Sequence, residues 1–242
     1  MCAGHEEIVK LLLKRGDINT NTPNSELGIT PLWEAVRAGH KEIVRLLLER
    51  EDINIYTNTP DTKFSRTPLF VAMCTKHEEI VRLLLEREDI NPNTPETKSG
   101  GTPLRWAAGR GYDGIVMLLL EREDTNPNTP DILYGRTPLM WAAMSGHERI
   151  VKSLLERNDL NPNIPDPRGK TALELATSQG HAGVVQLLSQ PSPSLSIPID
   201  IKRTENLGRE TPSQEAITES NNKRKIHLGD DGPRKKHRAP LT

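Results

Sequence analysis

Five histidines, His5, His40, His77, His147 and His181, are the residues of this 242-residue chain whose type and recurrence could do chemistry. Histidine ligates zinc through bonds of about 2.0 Å and titrates near neutral pH. Each of the five, however, stands at an equivalent point of a repeating pattern. Stacked units would hold neighbouring rings about one repeat apart, too far for a shared ion. A structural hydrogen bond at a helix junction fits better. His147-Glu148-Arg149-Ile150-Val151 lacks the second histidine of a helical zinc-protease motif. The chain has no Gly-rich phosphate loop closing in Gly-Lys-Ser/Thr, no Cys-x-x-Cys and no nucleophile elbow. Glu78, Arg82 and Glu86 fall four apart, a surface pairing worth about 0.2–0.5 kcal/mol rather than an acid–base site. Cys2 and Cys74 lie two repeats apart, beyond disulfide reach. The expectation is no enzyme, no cofactor, no metal and no small-molecule substrate.

The elements that position these histidines come from a period. Thr-Pro-Leu recurs at Thr30, Thr67, Thr102 and Thr137 and degenerates to Thr171-Ala172-Leu173. The spacing, close to 35 residues, predicts a stacked array of small helical units instead of one globular core. In the copy from Tyr134 to Pro162, Thr137 suits an N-cap and Pro138 the first helical position. Leu139 to Met144 form a first helix whose alanines let a neighbour pack close. Gly146 sits where a helix ends with positive φ. His147 opens a second helix with Glu148 in its first turn, and Ile150, Val151, Leu154 and Leu155 make its apolar stripe. Asn161-Pro162-Asn163-Ile164-Pro165 cannot continue a helix.

Thr-Pro-Leu-x-x-Ala-Ala-x-x-Gly-His-x-x-Ile-Val-x-x-Leu-Leu resembles the ankyrin repeat, which implies paired antiparallel helices with a projecting hairpin finger. The fold class is therefore expected to be an all-α ankyrin-repeat solenoid over residues 1–190, with a disordered Ser/Pro-rich tail over 191–242. The array divides into a partial repeat and five near-complete ones starting near residues 26, 63, 98, 133 and 168. Several positions depart from the family pattern. Arg-Glu-Asp, as at Arg87-Glu88-Asp89, replaces Gly-Ala-Asp. The fingers carry an extended Asn-Pro-Asn-Thr-Pro. The fourth residue of the Thr-Pro-Leu motif is Trp33, Phe70, Arg105, Met140 or Glu174, never His. Lys76 replaces a helix-ending Gly and Tyr112 replaces a His, which predicts local weakness there. The start resembles the interior of a repeat, so Ile8, Leu11 or Leu12 is expected to be partly uncovered. The style resembles fungal-type arrays. That suggests an alternative origin as the orphaned ankyrin portion of a larger multidomain signalling or NACHT-type receptor.

The last 52 residues differ in kind. They hold 10 Lys/Arg and 7 Asp/Glu, leaving 22 and 26 for the array. A basic tail on a mildly acidic body follows. Lys223-Arg224-Lys225 and Arg234-Lys235-Lys236-His237-Arg238 resemble a bipartite nuclear import signal, with an import receptor as partner. A solvated charged end is the competing reading. No aromatic residues interleave for base stacking, which argues against nucleic acid. The longest apolar run, Ile115 to Leu120, is far short of the ~20 residues that span a bilayer, and no secretory signal opens the chain. The expected location is cytoplasmic, nuclear or both.

By the resemblance, a partner protein meets the fingers and inner helices on the concave face. The positions that match are Arg37, Lys63, Phe64, Arg66, Cys74, Lys98, Arg110, Tyr134, Arg136, Met144, Arg168 and Lys170. This set holds no carboxylate, which suggests a partner with an acidic surface and a scaffolding role. Trp106 and Trp141, at matching positions of adjacent repeats, are read as packing between repeats.

Overall fold

The computed structural model describes residues 6–15, 19–50, 53, 57–63 and 65–190. Phe64, Cys2, His5 and the basic clusters Lys223–Lys225 and Arg234–Arg238 lie outside them, as does the whole second unit of the chain, residues 198–242.

Among the described residues there are eleven helices and no strand: α1 (Glu6–Leu13), α2 (Pro31–Ala38), α3 (Lys41–Leu48), α4 (Pro68–Cys74), α5 (Glu78–Leu85), α6 (Pro103–Arg110), α7 (Asp113–Leu120), α8 (Pro138–Met144), α9 (Glu148–Leu155), α10 (Ala172–Gln179) and α11 (Ala182–Leu188). From α2 onward they alternate between an inner layer (α2, α4, α6, α8, α10) and an outer layer (α3, α5, α7, α9, α11), which α1 extends. Each of α2–α11 packs on its pair partner and on its counterpart in an adjacent repeat, and α1 packs on α3. This is the all-α solenoid that the period implies.

The inner helices start where the sequence says they should. The hydroxyls of Thr30, Thr67, Thr102, Thr137 and Thr171 each accept a hydrogen bond from the backbone N–H three residues on. Thr171 and Glu174 complete a reciprocal capping box. Alanine keeps the layers close: Ala35, Ala72, Ala107, Ala108, Ala142, Ala143 and Ala176 are fully buried. They face Ile43, Val44 and Leu47 and their repeats, and each such large side chain removed from water contributes about 1.5–3 kcal/mol. At the first helix this cover is thin, and Ile8, Leu11 and Leu12 of α1 are exposed.

Helix-ending glycines carry the histidines. Gly39, Gly111 and Gly146 have φ of 75°, 72° and 73°, and a Cβ on any of them would strike the ring of His77, His147 or His181 of the following repeat at 2.7 Å. The His181 Nε2 also lies 2.9 Å from the Met144 carbonyl. One junction between neighbouring repeats breaks this rule on both sides, with Lys76 in place of the glycine and Tyr112 in place of the histidine, and the two exceptions meet. Lys76 holds the glycine conformation at φ 58°, and its ammonium sits 4.5 Å from the centre of the Tyr112 ring. A cation on an aromatic face thus replaces a ring on a glycine. Lys76→Gly should relieve about 1 kcal/mol of left-handed strain while losing a similar cation–ring attraction, for little net change. Tyr112→His alone should destabilise by about 1–2 kcal/mol. Together they should restore the regular contact and recover most of that loss. A double-mutant cycle by urea denaturation that proved additive would refute the pairing.

The Asn-Pro-Asn extension ties repeats together. The first asparagine folds on itself, Asn91 Oδ1 accepting from Asn93 N–H at 2.9 Å. The second reaches the next repeat. The Asn93 amide donates to the Asp124 carbonyl at 2.6 Å and accepts from Asn126 N–H at 2.8 Å. Asn128 does the same with Asp159 and Asn161 at 2.7 and 2.8 Å, and Asn58 with Asp89 and Asn91 at 2.5 and 2.8 Å. The intervening Pro92, Pro127 and Pro162 have no N–H to leave unsatisfied.

The arginine of Arg-x-Asp is a second tie. Arg122 is gripped by Asp124 at 2.8 and 2.6 Å and donates to the carbonyls of Leu85 and Arg87, at 3.2 and 2.6 Å, where α5 ends. Arg87 and Arg157 repeat the arrangement on the ends of α3 and α7. Helix C-termini leave carbonyls without intrahelical partners, and these cations supply the missing donors.

Thr125 stands one repeat after Ile90 and one before Leu160, is 1% exposed, and its hydroxyl has no hydrogen-bond partner. A buried orphan hydroxyl costs about 1–3 kcal/mol. Thr125→Val should therefore stabilise the array by about 1 kcal/mol, read by urea denaturation. A loss of stability would mean that the hydroxyl is bonded.

Candidate functional site

Each finger is closed by a polar side chain that its sequence places six residues before the N-cap threonine, or five in the last finger: Asn24, Asp61, Glu96, Asp131 and Asp166. The four acids are all buried. Asp61 accepts from the N–H groups of Lys63 and Arg66 at 3.0 and 3.1 Å. Glu96 accepts from the N–H groups of Lys98 and Ser99 at 2.8 and 2.5 Å and from the Ser99 hydroxyl. Asp166 accepts from Arg168 and Lys170, both at 2.9 Å. Asp131 takes Tyr134 N–H and the Trp141 indole N–H, each at 2.6 Å. Burial works to raise the Glu96 carboxyl, but its Ser99 and Lys98 hydrogen bonds win and hold it below the usual range. The N–H of Lys170, helped by that of Arg168 and by Arg136, does the same for Asp166.

Two inner-face arginines bridge fingers and repeats. Arg105 lies 3.4 Å from Asp131 and Arg136 lies 3.7 Å from Asp166. Both flank the Trp141 ring, at 4.2 and 5.6 Å, and Tyr134 meets that ring edge-on at 5.6 Å. A second cluster joins Phe70, Trp106 and Tyr112, with ring centres 5.7 and 5.5 Å apart, and Arg110 lies 4.7 Å over Trp106. Both tryptophans are half-buried. The packing role expected for them is what these contacts show.

The structure separates the expected site residues into two groups. Lys63, Lys98, Arg110, Tyr134, Arg168 and Lys170 are exposed. Arg37 is exposed too, but Glu34 grips it at 2.9 and 2.5 Å. Arg66, Arg136, Cys74 and Met144 are half-buried. Burial pushes the Cys74 thiol up, against the pull of Arg66 and Arg110, which favours the protonated thiol. Sequence reasoning missed the four buried acids of the fingers. It also missed Ile132 and Leu133, which with Tyr134 are 83%, 59% and 49% exposed. The signal was present: Asp131-Ile132-Leu133-Tyr134-Gly135-Arg136 is apolar where Glu96-Thr97-Lys98-Ser99-Gly100-Gly101 is polar.

The outer face offers charged grooves. One of 470 Å³ between α3 and α5 is lined by Lys41, Arg45, Glu79, Arg82 and Glu86. Another of 270 Å³ between α7 and α9 is lined by Asp113, Met117, Arg149 and Glu156. Among the described residues no three His, Cys, Asp or Glu side chains converge as a metal site, and no helix is long and apolar enough to cross a membrane.

A family model described as "Ankyrin repeats (3 copies)" matches residues 1–59, 55–131 and 118–200. No match was found among curated proteins. With the model spanning most of the chain, and the paired helices, threonine caps and fingers in register, the chain belongs to the ankyrin-repeat family.

Proposed function

We propose that this array is a non-enzymatic scaffold that binds a partner protein through its fingers and inner helices. Ankyrin repeats are generally protein–protein interaction modules. The observation that carries the reading is the sorting of charge on the fingers. Asp61, Glu96, Asp131 and Asp166 are buried in the fingers they close, while Lys63, Lys98, Arg168 and Lys170 face solvent. A partner surface rich in carboxylates complements that pattern, and such complementarity acts mainly on association rate and specificity.

The test compares wild type with Lys63→Glu/Lys98→Glu/Arg168→Glu/Lys170→Glu in pull-downs from native extract read by mass spectrometry. These four side chains are exposed, so the fold should survive. Arg136→Glu would instead place a carboxylate beside buried Asp166 and confound folding with binding. A partner held by wild type and lost by the variant supports the reading, and equal retention of every partner refutes it. The clusters Lys223-Arg224-Lys225 and Arg234–Arg238 are proposed to engage an import receptor. A fluorescent fusion that stayed nuclear after their replacement by alanine would exclude that role.

A further inference from the structure

The fourth finger points to the kind of partner. We infer that Ile132, Leu133 and Tyr134 form the apolar anchor for an extended acidic segment of a partner protein, whose carboxylates pair with Lys98, Arg168 and Lys170 on the neighbouring fingers. This rests on the scaffold reading above and narrows it to one finger and one ligand chemistry.

The three residues are consecutive and exposed, and stacking of the fingers does not require them to be apolar. Ile132 covers Gly100 of the preceding finger, but Thr62 covers Gly28 in the same way and Pro167 covers Gly135. A polar threonine therefore serves the stacking role, which leaves the Ile-Leu-Tyr run unexplained by folding. Consecutive exposed apolar residues mark interaction sites more often than scattered ones do.

The finger is also held in one conformation. Ile132 and Leu133 donate their N–H groups to the Ser99 carbonyl at 3.0 and 3.3 Å. Asp131 holds Tyr134 N–H, and the Tyr134 ring meets the Trp141 ring edge-on, with the Arg136 guanidinium 5.5 Å from its centre. A tip fixed before binding loses little freedom on association. Tyrosine beside arginine is the composition enriched where binding energy concentrates.

Charge selects the ligand. Fingers three and five expose Lys98, Arg168 and Lys170, and the acids of fingers three to five are buried. A segment lying across the tip with an apolar side chain at its centre and Asp or Glu on both sides meets attraction everywhere. A basic segment meets repulsion.

A random peptide library displayed on phage, selected on the whole chain, tests this. Three variants are scored with the enriched peptides by fluorescence polarisation: Ile132→Ser/Leu133→Ser, Tyr134→Ser and Lys98→Glu/Arg168→Glu/Lys170→Glu. Thermal melts confirm that each stays folded. The expected peptides carry Leu, Ile, Phe or Trp flanked by Asp or Glu. They should bind the Ile132→Ser/Leu133→Ser variant at least roughly tenfold more weakly, and the charge-reversed variant should lose affinity by a similar factor. Peptides that lack carboxylates, or bind the tip variants as well as wild type, overturn the inference. If those peptides still lose affinity on charge reversal, the scaffold reading survives without this anchor. If no variant changes binding, both fail. Sedimentation of wild type as a dimer and of the tip variant as a monomer would show a second copy of this chain on the tip, and would also overturn it.

Discussion

Arg157→Ala should lower the unfolding free energy of the array by about 2–4 kcal/mol, a large effect for a side chain that interrupts no hydrophobic core. Arg157 Nη1 donates to the Leu120 and Arg122 carbonyls at 2.9 and 3.0 Å, and Nη2 to those of Glu123 and Thr125 at 3.3 and 3.2 Å. Asp159 holds the guanidinium at 2.9 and 2.8 Å. Alanine would take the donor from the carbonyls of Leu120, Glu123 and Thr125 and release an acid, while the Arg122 carbonyl keeps the Thr125 N–H at 3.3 Å. Partial exposure of the pair lets water recover some of the loss, which sets the lower end of the range. Arg157→Lys should recover little, because one ammonium cannot span carbonyls and carboxylate together. Asp159→Asn should cost about 1 kcal/mol by the same urea measurement. A loss below about 0.5 kcal/mol for Arg157→Ala would show that the clamp is ornamental.

The same clamps give a pH dependence. The Arg122 and Arg157 guanidinium groups hold the Asp124 and Asp159 carboxyls below the ordinary aspartate range. Asp89 is also held low: burial works to raise it, and hydrogen bonds from Arg87 and Thr57 outweigh that. A carboxyl with a lower pKa folded than unfolded contributes stability that is complete above the unfolded value, about 3.9, and lost as pH falls through the folded value. The contribution of these clamps to the urea midpoint should therefore be constant above about pH 5 and be lost below about pH 4. In the Arg157→Ala variant the acid-side fall should be shallower.

These ties show where the sequence was legible and where it was not. The period located every inner helix from Thr30 to Thr171, because an N-cap, a proline and an apolar stripe are local signals. The Arg-x-Asp and Asn-Pro-Asn departures were visible as spelling, but their work was not. Each bonds to backbone one repeat away, and nothing local says which carbonyl there lacks a partner. Lys76 and Tyr112 read separately as two weak points, yet they touch. At the candidate site, register identified the finger positions but not their burial. Arg136 and Lys170 both immediately precede an N-cap threonine. One is held against Asp166 and the other is exposed, because among the described residues only Arg136 is followed by a further finger that supplies an acid.

Asp131→Ala should cost about 3–5 kcal/mol and disorganise the fourth finger, because removing one partner of a buried pair leaves the other without compensation. Its carboxylate is fully buried and joins three donors: the Trp141 indole N–H, the Tyr134 backbone N–H and the Arg105 guanidinium. Water reaches none of them easily once alanine leaves a void. Asp131→Asn keeps an oxygen for the indole but turns its amide nitrogen toward the Tyr134 N–H and gives up the charge that holds Arg105, so about 1–3 kcal/mol should be lost. Asp166→Ala supplies the contrast. There the arginine is 3.7 Å away and no indole depends on the acid, so the cost should be smaller. Urea denaturation ranks the three variants, and a red shift of tryptophan emission in Asp131→Ala reports the freed Trp141. The ranking matters for function because Asp131 sits at the base of the tip that carries Ile132, Leu133 and Tyr134. If binding resides on that tip, Asp131→Asn should weaken it by loosening the finger while every contact residue remains in place. Unchanged affinity in a measurably destabilised Asp131→Asn protein would mean that the partner does not depend on the order of this finger.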